Sequence, residues 1–276
     1  MQSPRYLLFI LNSMKSIFLR TQMEKHRKHR RVRDYNLHAG LAEVFTPGLH
    51  YPTYLAEKAI LFSKFRGEQL GRLQKLAIHR FHGEGIFDLR PEATDIPDSV
   101  VLMAYFQFFD ELFFFGSLGG SKRFILNFDH RLAEKGGPRG KYSKREVLNV
   151  QDGIHDRIYE LLIFRQRGKN QYYSLRAALG FMLQGMCHTF LKLWQCRTDE
   201  CSEMWSEYGA GWAWQDMALA IEDAISDSYF VNLDITLGRI EMLVDSLAAY
   251  PAFLTDAQLR KWRIDPEGLA KMTGRK

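Results

Sequence analysis

Cysteine is scarce in this chain: three residues in 276, Cys187, Cys196 and Cys201. An odd and low count argues against a secreted disulfide scaffold and for a reducing compartment. No Gly-rich phosphate loop, nucleophile elbow or dinucleotide fingerprint is present. Gly116-Ser117-Leu118-Gly119-Gly120 sets a serine among glycines but lacks a strand–turn–helix context, and reads as a turn. There is no internal repeat and no long low-complexity segment. Long apolar runs are missing too. Tyr6–Leu19 is broken by Asn12, Ser13, Lys15 and Ser16, too short and too polar to span a bilayer. It resembles the hydrophobic part of a signal peptide, but a basic run follows it instead of a small-residue cleavage site. A mitochondrial presequence is a second option, since the segment is poor in acids.

What is present suits a globular protein with a real core. The hydrophobic content is 46% and the net charge +6, a basic excess compatible with nucleic acid or an anionic surface. The basic run His26–Arg33 reads as a nuclear-import or phosphate-binding patch, or as a solvated arm; the two are compatible. Its cations are Arg27, Lys28, Arg30, Arg31 and Arg33.

Four stretches are expected: a basic arm over 1–50, a helical segment and linker over 51–98, a main domain over 99–226, and a C-terminal helix and tail over 227–276. In Pro52–His82 apolar residues recur at spacings near three and four among Lys, Arg and Glu, a helical pattern. His79 and His82 have i, i+3 spacing but no third ligand, so they read as a polar helix end. Gly85, Pro91 and Pro97 mark the linker. In the apolar run Val100–Phe115, Asp110 and Glu111 are adjacent, point to different helix faces, and read as surface or capping groups.

Arg123–Phe128 and Ile158–Phe164 are short apolar runs suited to strands. Between them, Glu134–Arg145 reads as a loop whose Lys135, Arg139, Lys141, Lys144 and Arg145 track phosphates while Tyr142 stacks on a base, or as an ordinary solvated loop. Ser174 is the expected N-cap of a helix whose stripe is Leu179, Leu183, Met186, Phe190 and Leu193. Gln184 and His188 lie off that stripe on a shared face. Cys187 points about 100° away from His188, so both cannot easily face one ion. Trp212–Ile225 and Leu233–Leu247 read as further helices, and Asp265-Pro266 as the start of a polar tail.

The stretch Leu179–Gln215, LGFMLQGMCHTFLKLWQCRTDECSEMWSEYGAGWAWQ, organises the chain. It resembles the metal-binding core of the SprT-like metalloproteases, the Spartan family that cuts proteins crosslinked to DNA. In that family a helix carries His-Glu-x-x-His, and a third His follows in a Gly-His-Gly-x-x-Trp-Gln context. Here Gln184 stands at the first His, Gly185 at the general-base Glu and Ala210 at the third His. Only His188 is retained. Ala213, Trp214, Gln215 and Ile221-Glu222 match the flank, and Phe108–Leu118 (FFDELFFFGSL) resembles the family's helix-to-strand entry. The likeness spans Ser99–Ser226.

It implies an α+β, zincin-like SprT fold, with a small β-sheet packed on the central helix and extra terminal helices. It implies a catalytically inactive metalloprotease homologue without a cofactor, binding or scaffolding in the nucleus or cytoplasm, with DNA or a chromatin-bound protein as partner. Two alternatives stand beside it: an active zinc metallopeptidase using substitute ligands, and a membrane-surface or organellar helical protein. On helix propensity alone, Gly185→Glu is expected to stabilise the helix by several tenths of a kcal/mol.

Overall fold

The computed structural model describes residues 45, 50–84, 87, 99–132, 140–149, 154–168, 171–196, 211–249 and 254–274. The basic arm, most of the expected linker, Cys201 and Ala210 lie outside them. The described chain is α+β, with helices packed against a small sheet. Pro52 opens α1 (Pro52–Ser63) at a position where its missing N–H costs nothing. A short 3₁₀ turn, Gly67–Gln69, leads to α2 (Arg72–Gly83), and α3 spans Ser99–Phe113. The sheet follows: β1 (Phe124–Leu132), β2 (Gly140–Asn149), β3 (Ile154–Gly168) and the two-residue β4 (Gln171–Tyr172). Then come α4 (Leu175–Trp194), α5 (Trp212–Ser226), α6 (Arg239–Ala249), α7 (Asp256–Lys261) and α8 (Pro266–Thr273).

The long strands lie in the order β1-β3-β2, with β1 parallel and β2 antiparallel to β3. Residues 140–145, expected in a loop, are therefore strand. The ladder to Ile158–Ile163 claims their backbone, which the charge of the segment conceals. On one face the register aligns Leu126, Leu161 and Tyr142, and this face meets α4.

Helix α4 is the centre of the packing. Ser174 Oγ accepts from Ala177 N at 3.2 Å, closing the N-terminus. Leu179, Leu183, Met186, Phe190 and Leu193 are fully buried, as their spacing predicts. One buried cluster runs from Phe45 to Leu237 and joins α1 and α2 to α3, α4, α5 and β3. Gln74 fastens three helices: its Nε2 donates to Phe62 O (3.0 Å) and Leu112 O (2.9 Å), and its Oε1 accepts from Gly71 N (3.1 Å). The 51–98 helices thus share a core with the segment 99–226.

Three expectations are corrected by packing. Asp110 is 3% exposed, and its oxygens accept from Leu118 N (3.0 Å) and Gly119 N (2.7 Å), so it holds the turn after α3 from inside. Burial pushes its carboxyl up to about 7 against the pull of those backbone N–H groups. Glu111 pairs with Arg80 of α2. The second correction is that Leu233–Leu237 lies outside any helix and runs extended. Val231, Leu233, Ile235 and Leu237 are buried in alternation, a period-two signal that the helical spacing further on obscured. Gly238, at φ 65°, turns the chain into α6. Thirdly, Asp265 starts a helix, its carboxylate accepting from Glu267 N (3.2 Å) and Gly268 N (2.9 Å).

The extended segment reaches α4 at Gly180, where a Cβ would collide with the Thr236 carbonyl oxygen. Gly180→Ala is expected to cost about 1–3 kcal/mol, as overpacking does. Gly83→Ala, with open space around it, is expected to be neutral or mildly stabilising. Urea unfolding of both variants checks this.

Candidate functional site

Helices α4 and α5 bring together the residues that the sequence singles out. His188, on the fourth turn of α4, stacks on Trp214 at the start of α5, with ring centroids 5.0 Å apart and an interplanar angle of 17°. Tyr142 of β2 approaches the imidazole to 5.9 Å and stacks on Tyr159 at 6.0 Å. Tyr142 therefore does not present its ring to a base. Its hydroxyl is buried, and burial pushes that group well above the usual phenol range. Lys141, its neighbour in the strand, points the other way and is exposed.

His188 is 8% exposed, and its Nε2 has no hydrogen-bond partner among the described residues; the same holds for Trp214 Nε1. Burial pushes the imidazole down to about 3, with the Lys192 ammonium adding to the effect, so it is neutral at physiological pH. Beside it lies a cavity of about 20 Å³, lined by His188, Lys192, Gln195, Gly211 and Trp214 among others. That is room for one water molecule, not for a peptide.

One turn before His188, Gln184 is half-buried. Gly185 faces the sheet, and a Cβ there would lie 2.5 and 2.7 Å from Leu161 Cδ1 and Cδ2. Leu161 is fully buried, so it occupies the space that a side chain at position 185 would enter. The helix-propensity expectation for Gly185→Glu fails on this contact. Thr189 Oγ1 spans the same turn, donating to Gly185 O at 2.8 Å. Cys187 is fully buried, and desolvation pushes its thiol well above the usual range, so it is chemically quiet. Cys196 is buried as well, and its N–H donates to His50 O at 2.7 Å. His79 and His82 are both exposed on α2.

Among the described residues the donor set does not fit a catalytic zinc ion. Such sites use three protein ligands, and here one buried imidazole stands with an amide at 184 and no side chain at 185. Among the described residues no group of three His, Cys, Asp or Glu is placed to hold a metal. Among them, too, no helix is long and apolar enough to cross a membrane.

Gln215, from the Trp-Gln flank, is buried and donates from Nε2 to Arg239 O at 3.0 Å. Leu161 is the determinant that sequence reasoning passed over. Its strand was legible, but its contact across to α4 depends on register, which no local pattern carries. Comparison of the chain with protein-family models, with curated proteins and with solved structures finds no match.

The depressed pKa of His188 gives a signed expectation. A group whose folded pKa lies below its unfolded value contributes stability that is full above pH 6.5 and lost as pH falls toward 3. Relative to the non-titrating variant His188→Gln, the native chain should lose on the order of 4 kcal/mol across that window. Chemical denaturation at a series of pH values checks this, the difference between the two proteins being the quantity read.

Proposed function

We propose that this chain is a degenerate SprT-like protein of zincin-like fold that has lost peptidase chemistry and serves as a binding or scaffolding protein associated with DNA. Support for the scaffold comes from the order of elements: an aromatic-rich helix and Gly turn, a three-strand sheet, then α4 with positions 184, 185 and 188, then α5 opening at Gly211 with Trp214 and Gln215. Zincin-like chemistry places its ligand helix against such a sheet, and here the retained imidazole and the Trp of the flank are in contact.

The observation that carries the reading is the Leu161 side chain seated over Gly185. Position 185 has no carboxylate, a side chain there would have to displace Leu161, and a metal-bound water would lack a base at that position. A working peptidase with substitute ligands finds no support among the described residues. Association with DNA rests on the basic excess and on the run Arg27, Lys28, Arg30, Arg31 and Arg33, which lies outside the described residues and reads as a nuclear-import signal.

The test is metal analysis after dialysis against a weak chelator, paired with a cleavage assay on a protein crosslinked to DNA. Zinc well below one equivalent and no cleavage are expected; stoichiometric zinc with cleavage would overturn the reading. The packing adds a sharper expectation. Gly185→Glu should destabilise the fold by about 3 kcal/mol or more, because it overpacks against Leu161 and buries a charge. Leu161→Ala in the same chain should recover part of that loss, giving a coupling energy in a double-mutant cycle. Independent, additive effects of the two changes would contradict the contact.

A further inference from the structure

Alternation along β2 turns Tyr142 toward α4 and sends Lys141, Ser143 and Arg145 to the opposite face of the sheet. The register continues that face across β3 and β1: Lys141 opposite Leu162, Ser143 opposite Glu160, Arg145 opposite Ile158, then Ile125 opposite Glu160 and Asn127 opposite Leu162. Lys141 and Arg145 are exposed. Ile125, Ile158, Leu162 and Phe164 are half-buried, yet none belongs to either buried core, whereas Phe124, Leu126, Phe128 and Tyr142 pack inward. On the inward side α4 meets β3, and α3 meets β1 through the Phe106–Phe124 ring contact.

We propose that this outer sheet face is a platform for single-stranded nucleic acid, a site-level reading that rests on the DNA association proposed above. The charge complementarity is directional. Lys141 and Arg145 sit about 13 Å apart along one edge strand and suit a sugar–phosphate backbone running beside β2. Glu160, in the middle of the face, accepts from Asn127 Nδ2 at 2.6 Å and would repel phosphates there. That pair can instead meet base edges, which offer both donors and acceptors. The half-buried Ile158, Leu162 and Phe164 give the bases an apolar surface, with one aromatic ring for stacking. A duplex hides its base faces and would gain only the two cationic contacts, so the surface favours the single strand.

The experiment is fluorescence anisotropy with oligothymidylate, single-stranded or paired to its complement, from about 50 to 200 mM salt. Four proteins are compared: the native chain, Lys141→Gln with Arg145→Gln, Phe164→Ala, and a chain with Arg27, Lys28, Arg30, Arg31 and Arg33 changed to Gln. The sheet double variant should bind the single strand about tenfold more weakly, with a salt slope shallower by about 1.4. Phe164→Ala should lose affinity several-fold at an unchanged slope, the signature of lost stacking. The arm variant should keep its preference for the single strand. Native binding that neither sheet variant alters, or that prefers the duplex, overturns the platform and leaves DNA association through the arm standing. No binding by the native chain overturns both. Circular dichroism of each variant excludes unfolding as the cause.

Discussion

The central helix meets the sheet where Gly185 faces Leu161, and the candidate site is built around that contact. A glycine on α4 lets the fully buried leucine of β3 press against the helix backbone. The same approach carries Tyr142 to His188 and leaves the imidazole between a phenol and an indole. A second glycine, Gly180, does the equivalent for the extended segment that ends at Gly238. Close packing of this kind is unforgiving of added volume, so a side chain at 180 or 185 would have to displace its neighbour.

The other side of α5 carries a different load. Asp216 accepts from Lys261 Nζ (2.6 Å) and Trp262 Nε1 (2.7 Å), Asp223 from both terminal nitrogens of Arg263, and Glu222 from Arg239 Nε and Leu237 N. Exposed pairs such as Asp223–Arg263 contribute little individually. The half-buried Glu222–Arg239 pair matters more, because Arg239 also donates to Trp262 O at 3.0 Å and its own carbonyl accepts from Gln215. Trp262 is the centre of a small second core with Leu243, Leu247, Leu259, Ile264 and Leu269. The C-terminal helices are thus tied, through Gln215, to the residue next to Trp214.

Much of this is legible in the sequence. The α4 stripe, its Ser174 cap, the strands around Arg123–Phe128 and Ile158–Phe164, and α5 follow from period and capping alone, because each is a local signal. The failures share one cause, which is tertiary pairing. Residues 140–145 look like a basic loop until β3 supplies their hydrogen-bond partners. Asp110 looks like a surface acid until the turn at Leu118 and Gly119 folds its N–H groups onto it. At the candidate site, the identities at 184, 185 and 188 could be read directly. The filling of the space at 185 could not, because Leu161 reaches it from an element 24 positions away.

The central claim is that His188 is a neutral, packed core residue. Long-range ¹H–¹⁵N correlation of the histidine side chains during a zinc titration tests it most directly, with the exposed His79 and His82 as internal references. The account predicts that the His188 nitrogens keep the shifts of a neutral imidazole and do not move at one equivalent of zinc. A saturating shift of the His188 nitrogens at one equivalent, with His79 and His82 unmoved, would contradict it.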